Sequence, residues 1–551
     1  MINGAITPEK ARSPEAATST PHNHVSHAES SSTRTLIDEL LEEQQRLQTP
    51  VARFSNVHNR GATPSLEPIY RDLIPLTAPS PGEQYAFEVD LDACSGCKAC
   101  VAGCHSLNGL DDEETWRDVG LIHGGTRSHP FQQTVTTACH HCADPACLNG
   151  CPVLAYEKDP INGIVRHLDD QCIGCQYCIL KCPYDVPKYN ERLGIVRKCD
   201  MCHSRLGAGE APACVQACPT HAIKIVTVTT HVNGVLSADT SAFLPTAPSP
   251  HYTLPTTRYV TKRALPDNVM AVDAEVLRLQ PAHWPLVIML TFMPMAVACL
   301  FLAVVVPGHV AELTGIGWFA AAIGLASSFF HLGQPFRAWR IFLGLRKSWL
   351  SREAVVFGGW FALVSILAAT HFPLTAGLIP PLPKFFSLTV AAIGLLGLFC
   401  SVMIYVDTRR EFWRFAQTAP RFFGAAGVLG LGVLFALAPN SSSAVAIILV
   451  VLCKLAIETR VLRSLDDDDD KPTEARQTAL LLTGLLRLKL TARYFLALIG
   501  AGLVPLLVTL HYVPAASAWA GLTLALGGEL IERYTYFRAV AVRKMPGFVS
   551  S

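Results

Sequence analysis

The 551-residue chain has few charged residues and almost no net charge. Asp, Glu, Lys and Arg together make up 16% of the sequence, and 45 basic residues stand against 44 acidic ones. Because the basic and acidic residues are almost equal in number, there is no electrostatic reason to expect a nucleic acid partner. Apolar residues reach 50%. Low charge and high apolar content together indicate that part of the chain lies in a membrane.

Nothing in the sequence favours disulfides, although it contains 19 cysteines. A disulfide framework needs an oxidising compartment and is typical of short secreted chains, and no secretory signal peptide opens this one. Most of the cysteines instead fall into four tetrads, each of which opens with C-x-x-C. The tetrads are Cys94, Cys97, Cys100, Cys104; Cys139, Cys142, Cys147, Cys151; Cys172, Cys175, Cys178, Cys182; and Cys199, Cys202, Cys214, Cys218.

The spacing within the tetrads is typical of iron–sulfur ligands. The first and third have the C-x2-C-x2-C-x3-C spacing of bacterial ferredoxins, in which three thiolates hold one 4Fe–4S cluster and the fourth ligates another. Proline follows each of the last three tetrads. Structural zinc also uses C-x-x-C pairs, but it needs no third and fourth cysteine at this spacing. The sequence predicts four 4Fe–4S clusters that carry single electrons. The spacing alone leaves open which thiolates share a cluster and whether one centre is 3Fe–4S.

Long apolar runs fill the chain after Trp284. An α-helix needs about 20 apolar residues to cross a bilayer, so the runs predict about eight transmembrane helices. The alternative, buried helices of a large soluble domain, would not give so many runs in one tract. Cys299, Cys400 and Cys453 lie in these runs and are predicted to be small buried hydrophobic residues. The runs cover residues 285–306, 312–332, 354–371, 385–406, 423–438, 443–459, 494–512 and 515–536.

Changes in composition divide the chain into four regions. The first combines a Ser-, Thr- and Pro-rich tail, predicted to be disordered, with an amphipathic helix over 36–47. The second holds the tetrads between short predicted strands, and the third is a Pro- and Thr-rich linker. The fourth is the all-α membrane domain. The regions are residues 1–84, 85–230, 231–283 and 284–551, and the strands are 85–91, 163–168 and 222–228.

Two further segments, CPVLAYEKDP (151–160) and CPYDVPKYN (182–190), accompany the tetrads. Over about residues 85–225 the chain resembles the four-cluster subunit of the complex iron–sulfur molybdoenzymes, above all that of the dimethyl sulfoxide reductase family. The resemblance implies an α+β bacterial-ferredoxin-like domain with two nested repeats, in which the outer tetrads exchange their last cysteines, as do the inner ones. The implied ligand sets are Cys94, Cys97, Cys100, Cys218; Cys199, Cys202, Cys214, Cys104; Cys139, Cys142, Cys147, Cys182; and Cys172, Cys175, Cys178, Cys151.

The membrane half contains HLGQPFRAWR (331–340), SWLSRE (348–353) and, as a weaker echo, GELIERYTYF (528–537). These segments resemble the quinol-oxidising anchor subunit of the same family, which has eight spans. The two subunits are normally separate polypeptides, so their fusion departs from the family pattern. We expect menaquinol or ubiquinol as exchangeable substrate. We expect no haem, because no His pair lies at matching depth in two runs.

A quinol site is expected at the membrane surface on the cluster side, around His331 and Glu353. His331 ends the second apolar run and Glu353 begins the third. Quinol oxidation releases protons, which a His beside a carboxylate can accept. Arg337 is expected to orient the quinone oxygen or to hold Glu353. Pairing of Glu353 with Arg352 or Arg337 is the alternative, and the resemblance favours the quinol site.

The sequence shows no molybdopterin site, so the resemblance implies a separate molybdopterin-containing catalytic subunit. The expected function is electron transfer and membrane anchoring between the quinone pool and that subunit. Alternatives are a cluster-bearing anchor of a polysulfide-type reductase, one of a quinone-reducing dehydrogenase, or a purely structural assembly anchor. The stripe over 36–47 is expected to dock a partner, most simply the catalytic subunit, or else to pack on the chain's own ferredoxin fold.

The loops between the runs predict an orientation in the bacterial inner membrane. With eight spans, the cluster-side loops are rich in Lys and Arg, whereas the opposite loops offer little beyond Lys384, and basic loops stay in the cytoplasm. No twin-arginine signal lies near Met1. The cluster domain is therefore expected on the cytoplasmic side, although relatives face outward. Alternatively, the basic loops dock the cluster domain. These loops are 333–353, 407–422, 460–493 and the tail after 537.

Overall fold

The computed structural model describes six stretches of the chain. They are residues 35–46, 72–232, 235–372, 380, 382–466 and 473–548. The predicted disordered tail and Leu47 lie outside them. Helix α1 (Leu36–Arg46) confirms the predicted amphipathic helix, and it exposes Leu36, Ile37 and Leu40. It belongs to a unit of its own, separate from the unit Glu67–Ser551.

The cysteine region is built around strand β1 (Glu83–Asp90), which overlaps the first predicted strand. Strand β1 buries Gln84 and Ala86 on one face and Phe87 and Val89 on the other, because successive side chains of a strand point to opposite faces. Strand β8 (Ile223–Thr229) pairs with β1 antiparallel, and strand β11 (Arg258–Val260) pairs with β1 parallel. The first and last strands of the cysteine region therefore meet, and this brings its two ends together.

The region from the first tetrad to the start of the membrane domain is made of short elements. A second sheet has the order β12–β2–β3, and β4–β5 and β6–β7 are two-stranded hairpins. Strands β11 and β12, from the segment predicted as a linker, thus complete two sheets of the cysteine region. The elements are α2 (Ala99–Asn108), β2 (Asp118–Gly125), β3 (Pro130–Thr137), α3 (Ala146–Gly150), β4 (Tyr156–Lys158), β5 (Val165–His167), α4 (Tyr177–Lys181), β6 (Lys188–Asn190), β7 (Ile195–Arg197), α5 (His203–Gly207), α6 (Ala213–Gln216), β8 (Ile223–Thr229), β9 (His231–Val232), β10 (Val235–Leu236), β11 (Arg258–Val260) and β12 (Met270–Ala271).

The short helices of the tetrads pack in two pairs. Helix α2 of the first tetrad packs on α6 of the fourth, and α3 of the second packs on α4 of the third. The second pair lies between the members of the first pair along the chain. This arrangement brings the outer tetrads together and the inner tetrads together.

The remainder of the chain is helical. The long helices are α7 (Trp284–Val305), α8 (Val310–Phe329), α9 (Trp349–Ala369), α10 (Lys384–Val406), α11 (Phe415–Leu437), α12 (Ser441–Glu458) and α16 (Ser517–Arg538). Shorter ones are α13 (Glu474–Thr483), α14 (Arg487–Ala497) and α15 (Val504–Thr509), and a π-helical turn (Leu498–Leu503) joins the last two. Short 3₁₀ segments lie at Pro250–Tyr252, Pro335–Gly344, Glu411–Trp413 and Thr459–Asp466.

Six of these helical segments are long and apolar enough to cross a membrane among the residues described. They are α7, α8, α9, α10, α11 and the continuous stretch Arg487–Thr509. The other two predicted runs, 443–459 and 515–536, are helical as α12 and α16. Both of these helices carry buried charged side chains, such as Lys454 and Glu529.

The cysteines of the membrane half are not all buried. Cys299 and Cys400 are buried as predicted, whereas Cys453 is exposed, so the prediction was wrong for Cys453. It lies on the outer face of α12, next to Leu452, which is also exposed. Whether an apolar side chain is buried depends on which face of its helix packs against other helices, so an apolar pattern alone does not imply burial.

Candidate functional site

Each tetrad begins with the same backbone turn. The residue before the second cysteine has a positive φ in all four tetrads: Gly96 (72°), His141 (40°), Gly174 (69°) and Met201 (58°). Glycine adopts this left-handed conformation without strain, whereas His141 and Met201 cost about 1–2 kcal/mol each. The repeated turn lets both cysteines of each C-x-x-C face the same side of the loop.

The Cys-Pro ends of the last three tetrads share a second turn. Three residues after each final cysteine the backbone is again left-handed, at Leu154, Asp185 and His221. The turn directs amide groups at sulfur: Ala155 N–H donates to Cys151 Sγ at 3.2 Å and Ala222 N–H to Cys218 Sγ at 3.3 Å. Amide donors stabilise a thiolate, and such bonds help to set a cluster's potential.

We group the sixteen cysteines by the expected ligand sets, which we call sets 1 to 4. The thiols of set 1 line one cavity and those of set 3 line another. Asn108 Nδ2 lies 3.6 Å from Cys104 Sγ and 4.0 Å from Cys202 Sγ, which places two members of set 2 together. Set 1 is Cys94, Cys97, Cys100, Cys218; set 2 is Cys104, Cys199, Cys202, Cys214; set 3 is Cys139, Cys142, Cys147, Cys182; and set 4 is Cys151, Cys172, Cys175, Cys178.

Electrostatics within sets 2 and 4 reflect the same neighbours. Burial raises the pKa of Cys104 to about 12, and the nearby thiols of Cys214 and Cys202 add to this effect. In set 4 burial raises the pKa of Cys175, and the nearby thiols of Cys151 and Cys172 raise it further. Buried thiols of this kind stay neutral unless a positively charged partner compensates the thiolate.

The four sets fit 4Fe–4S clusters in their donor chemistry. All sixteen side chains are free thiols, and each set holds four of them. Across the described residues, no three His, Cys, Asp or Glu side chains close around a single metal ion. A 4Fe–4S cluster does not need such a point, because its four thiolates bind four different irons. When bound, the clusters would supply one-electron redox chemistry.

The loop after α8 contacts set 4 directly. Gln334 N–H donates to the carbonyl of Ile173 at 3.0 Å, and Gly344 N–H donates to the carbonyl of Pro152 at 2.9 Å. The buried Ser348 hydroxyl donates to the carbonyl of Gly150 at 2.7 Å. Cys172 and Cys151 flank these carbonyls in sequence. The membrane half thus holds both cysteine loops of set 4.

His331 lies at this contact. Its ring meets that of His283, the residue before α7, at 5.2 Å in an edge-to-face arrangement. Burial lowers the pKa of His331 to about 4, and a hydrogen bond with the backbone of Cys175 opposes that effect only in part. His331 therefore lies between the membrane half and set 4.

Glu353, the fifth residue of α9, is buried at 4% exposure. Its carboxylate accepts a hydrogen bond from the Ser401 hydroxyl on α10. Arg352, considered above as an alternative partner, instead donates to the carbonyls of Leu345 and Arg346. Glu353 thus lies inside the helix bundle, and within the described residues no hydrogen bond or ion pair joins it to His331.

Arg337 contacts the cysteine region. Its Nη1 donates to the carbonyl of Asp169 at 2.9 Å and to that of Cys172 at 3.1 Å, and Arg340 donates to the carbonyl of Asp170. A guanidinium presents several donors in a fixed fork, which suits two carbonyls at once. Arg337 therefore fixes the loop that carries Cys172 of set 4.

The cysteine region is similar to subunits of known reductases. Over 150 residues it is 39% identical to the B subunit of the anaerobic dimethyl sulfoxide reductase of Haemophilus influenzae, a match covering 26% of this chain and 73% of that protein. The chain belongs to the family of dimethyl sulfoxide reductase iron–sulfur subunits. The corresponding Escherichia coli subunit is 38% identical over 148 residues, 25% of this chain and 72% of the relative.

This dimethyl sulfoxide reductase-family chain also matches two family profiles. Residues 131–228 match a 4Fe–4S dicluster domain, and residues 284–538 match a dimethyl sulfoxide reductase anchor subunit. A more distant relative, the iron–sulfur subunit of the nitrate-inducible formate dehydrogenase of Escherichia coli, is 36% identical over 27% of this chain and 57% of its own length. The chain fuses an iron–sulfur subunit to a membrane anchor, and it serves electron transfer and membrane anchoring for a molybdoenzyme.

Sequence analysis did not identify one group of polar residues in this dimethyl sulfoxide reductase-family chain. A cavity of about 370 Å³ lies between the cysteine region and the membrane half, lined by His283, Arg410, Trp413, Asp185 and Lys544 among others. Burial lowers the pKa of His283 to about 4. His283 lies two residues before the first apolar run (285–306), and this position at its edge was the signal that could have identified it.

A second missed group is a buried ionic network across four helices. Lys454 Nζ lies 3.1 Å from Glu529 Oε2, and Arg493 Nη2 lies 2.9 Å from Glu529 Oε1. Charges inside apolar runs are costly enough to be a signal in their own right. The network consists of Arg421 of α11, Lys454 and Glu458 of α12, Arg493 of α14, and Glu529, Glu532 and Arg533 of α16.

Proposed function

We propose that this chain passes electrons between a membrane quinol and a separate molybdopterin-containing catalytic subunit. The observation that carries the proposal is the contact of the loop after α8 with set 4. This contact joins His331, at the end of a membrane span, to the loop of Cys172 and Cys175. Quinol would be oxidised or formed here, next to the cysteines that are nearest to the membrane.

Four 4Fe–4S clusters are proposed, one in each of sets 1 to 4, within two nested ferredoxin-like repeats. The packing of α2 on α6 and of α3 on α4 supports the nesting, because it pairs the outer tetrads and the inner tetrads. The cavities lined by set 1 and set 3 support those ligand sets, each of which takes one cysteine from a distant tetrad.

The contacts between sets support their arrangement in a row. The Cys100 thiol of set 1 lies near Cys214 of set 2 and helps to raise the pKa of the Cys214 thiol. Burial raises the pKa of Cys199, and Cys139 of set 3 is the strongest of the neighbouring thiols that add to it. The Tyr156 phenol lies near Cys178 of set 4 and Cys147 of set 3.

Set 1 is proposed to form the end of this row opposite set 4, which contacts the loop after α8. Its Cys97 is exposed, whereas Cys178 of set 4 is buried. The catalytic subunit is therefore proposed to dock over set 1. The exposed apolar side chains of α1, Leu36, Ile37 and Leu40, are proposed to contribute to the docking of that partner.

Eight transmembrane spans are proposed. Gln477, between α12 and α14, donates to the carbonyl of Ala274, and Lys181 of the cysteine region pairs with Asp407, between α10 and α11, at 2.7 Å. Both loops thus lie near the cysteine region. This supports a pair of crossings, in which α11 runs away from the cluster side and α12 runs back to it. Arg538 Nη1, at the end of α16, donates to the carbonyl of Gln280, four residues before α7, and this supports a return of α16 to the cluster side as well.

The quinol site is proposed around His331, with Glu353 deeper in the bundle as a proton acceptor. A buried carboxylate whose described hydrogen-bond partner is a single hydroxyl is costly in a membrane and indicates function. Arg337 is proposed to position this site by holding the set 4 loop against it.

The experiment that tests the site changes His331 to Ala in the full chain. Dithionite should still reduce the clusters, whereas reduction by a quinol analogue should slow about 100-fold, the usual contribution of a proton-transfer group. His309→Ala, in the loop between α7 and α8, is the matched control and should behave as the unchanged protein. Normal quinol reduction in His331→Ala would place the site elsewhere.

A further inference from the structure

Arg117 is a buried cation without a carboxylate partner. Its side chain is 2% exposed, its guanidinium stacks on Phe87 at 4.6 Å, and Nη1 donates to the Thr136 hydroxyl at 3.2 Å. No ion pair to Asp or Glu is found for it among the described residues, and its Nη2 has no hydrogen-bond partner. An uncompensated buried guanidinium costs several kcal/mol, so a negative group should lie beside it.

The groups beside Arg117 are cysteines of two different sets. Thr136 Oγ1, which accepts from Arg117, lies 3.5 Å from Cys100 Sγ of set 1. Burial lowers the pKa of Arg117, but the thiols of Cys214, Cys100, Cys199 and Cys104 outweigh it, and the pKa ends above the usual range. Three of these four thiols belong to set 2. Arg117 therefore lies between sets 1 and 2.

Lys198 occupies the equivalent position between sets 2 and 3. It is 2% exposed, and its ammonium donates to the carbonyls of Val165 and Cys199. The neighbouring thiols are those of Cys139 and Cys147 of set 3 and Cys199 of set 2. The buried Lys181 differs, because it pairs with Asp407 at 2.7 Å. For Lys198, by contrast, no ion pair with a carboxylate is found in the described part of the chain.

We propose that Arg117 and Lys198 are potential-setting cations, which raise the reduction potentials of the clusters held by sets 1, 2 and 3. Reduction adds one electron to a cluster and makes it more negative, so a fixed positive charge in a low-dielectric interior favours the reduced form. Set 2 lies between both cations and experiences both. The cysteines found beside the two cations belong to sets 1, 2 and 3, so the potential of set 4 should change least.

The proposal rests on the ligand sets of the proposed function, and the experiment separates the two. Arg117→Met, Arg117→Lys and Lys198→Met are made in the full chain and purified anaerobically. Iron and sulfide are measured first, and about sixteen irons per chain show that four clusters are present. A count near eight in the unchanged protein would contradict the proposed function itself rather than the role of the cations.

The potentials are then measured by redox titration with dithionite and mediators, followed by electron paramagnetic resonance. Arg117→Met should lower two of the four midpoint potentials, with a change of about tenfold in the oxidised-to-reduced ratio, which is 59 mV for one electron. Lys198→Met should also lower two midpoint potentials. One of these, the potential of the set 2 cluster, should be lowered in Arg117→Met as well. Arg117→Lys keeps the charge and should stay near the unchanged protein.

Two results would overturn the inference. One is four unchanged potentials in a fully loaded Arg117→Met or Lys198→Met protein. The other is an equal fall in Arg117→Lys and Arg117→Met, because only the shape of the side chain would then matter. If Arg117→Met lacks iron, Lys198→Met decides alone: two lowered potentials support the role and four unchanged ones refute it.

Discussion

At the scale of single residues, close backbone contacts fix the junction between the cysteine region and the membrane half. Gly333, two residues after His331, packs against Gly194 and Gly174. A Cβ at Gly333 would meet the carbonyl carbon of Gly194 at 2.6 Å and the Tyr189 hydroxyl at 2.6 Å. Only a residue without a side chain lets these backbones approach so closely.

Gly333→Ala should therefore destabilise the junction by about 1–3 kcal/mol, the usual cost of overpacking. Thermal unfolding in detergent and the rate of cluster reduction by a quinol analogue would both report the change. Gly358→Ala is the matched control, because a Cβ there meets nothing within 4 Å. Equal behaviour of the two variants would show that the junction tolerates a methyl group.

At the scale of helices, the buried ionic network fixes how α11, α12, α14 and α16 pack. Apolar contacts alone discriminate weakly between helix registers in a bilayer, because lipid tails are as apolar as leucine. A buried charge is tolerated only where its partner lies, so the network specifies one register. Glycine assists it: a Cβ at Gly521 of α16 would meet the carbonyl oxygen of Gly500 at 2.9 Å.

Lys454→Met should lower the stability of this helix group by about 3–5 kcal/mol, because it leaves Glu458 and Glu529 with one cation fewer. Combining it with Glu529→Gln should recover part of the loss, and thermal unfolding of the three proteins measures both effects. The exposed Lys384→Met should change little. A double variant no more stable than Lys454→Met would argue against charge compensation in the network.

At the scale of the whole molecule, several cations of the basic loops contact the cysteine region. Arg337 and Arg340 donate to carbonyls of the loop 169–172, and Lys544 pairs with Asp185 at 2.7 Å. The docking explanation thus accounts for part of the charge. The remaining cations still favour a cytoplasmic position for this side of the membrane, and we propose that orientation.

A reporter fused after Ser551 tests the orientation. Alkaline phosphatase is active only in the periplasm. The reporter should therefore be inactive when fused after Ser551 and active when inserted in the loop 510–516, between α15 and α16. The reverse pattern would place the clusters outside the cytoplasm. Activity at both positions would contradict the proposed return of α16 across the bilayer.

Local spacing in the sequence determined much of this protein. The C-x-x-C repeats predict cluster ligands because their geometry is set by backbone turns of a few residues. The apolar runs predict membrane helices because their length matches the thickness of a bilayer. Strands 85–91, 163–168 and 222–228 overlap β1, β5 and β8 because alternation of apolar residues is also a local property. The family resemblance added the expectation that the tetrads exchange their final cysteines, which spacing alone had left open.

Only the tertiary structure decided which distant groups meet. Arg117 lies outside every motif, and pairing of β1 with β8 closes the fold that places it between sets 1 and 2. Arg337 contacts carbonyls of set 4, and Glu353 contacts Ser401, partners that no local pattern specifies. The physical reason is that such contacts depend on the packing of whole elements, whereas sequence spacing determines only which side chains share a turn or a face.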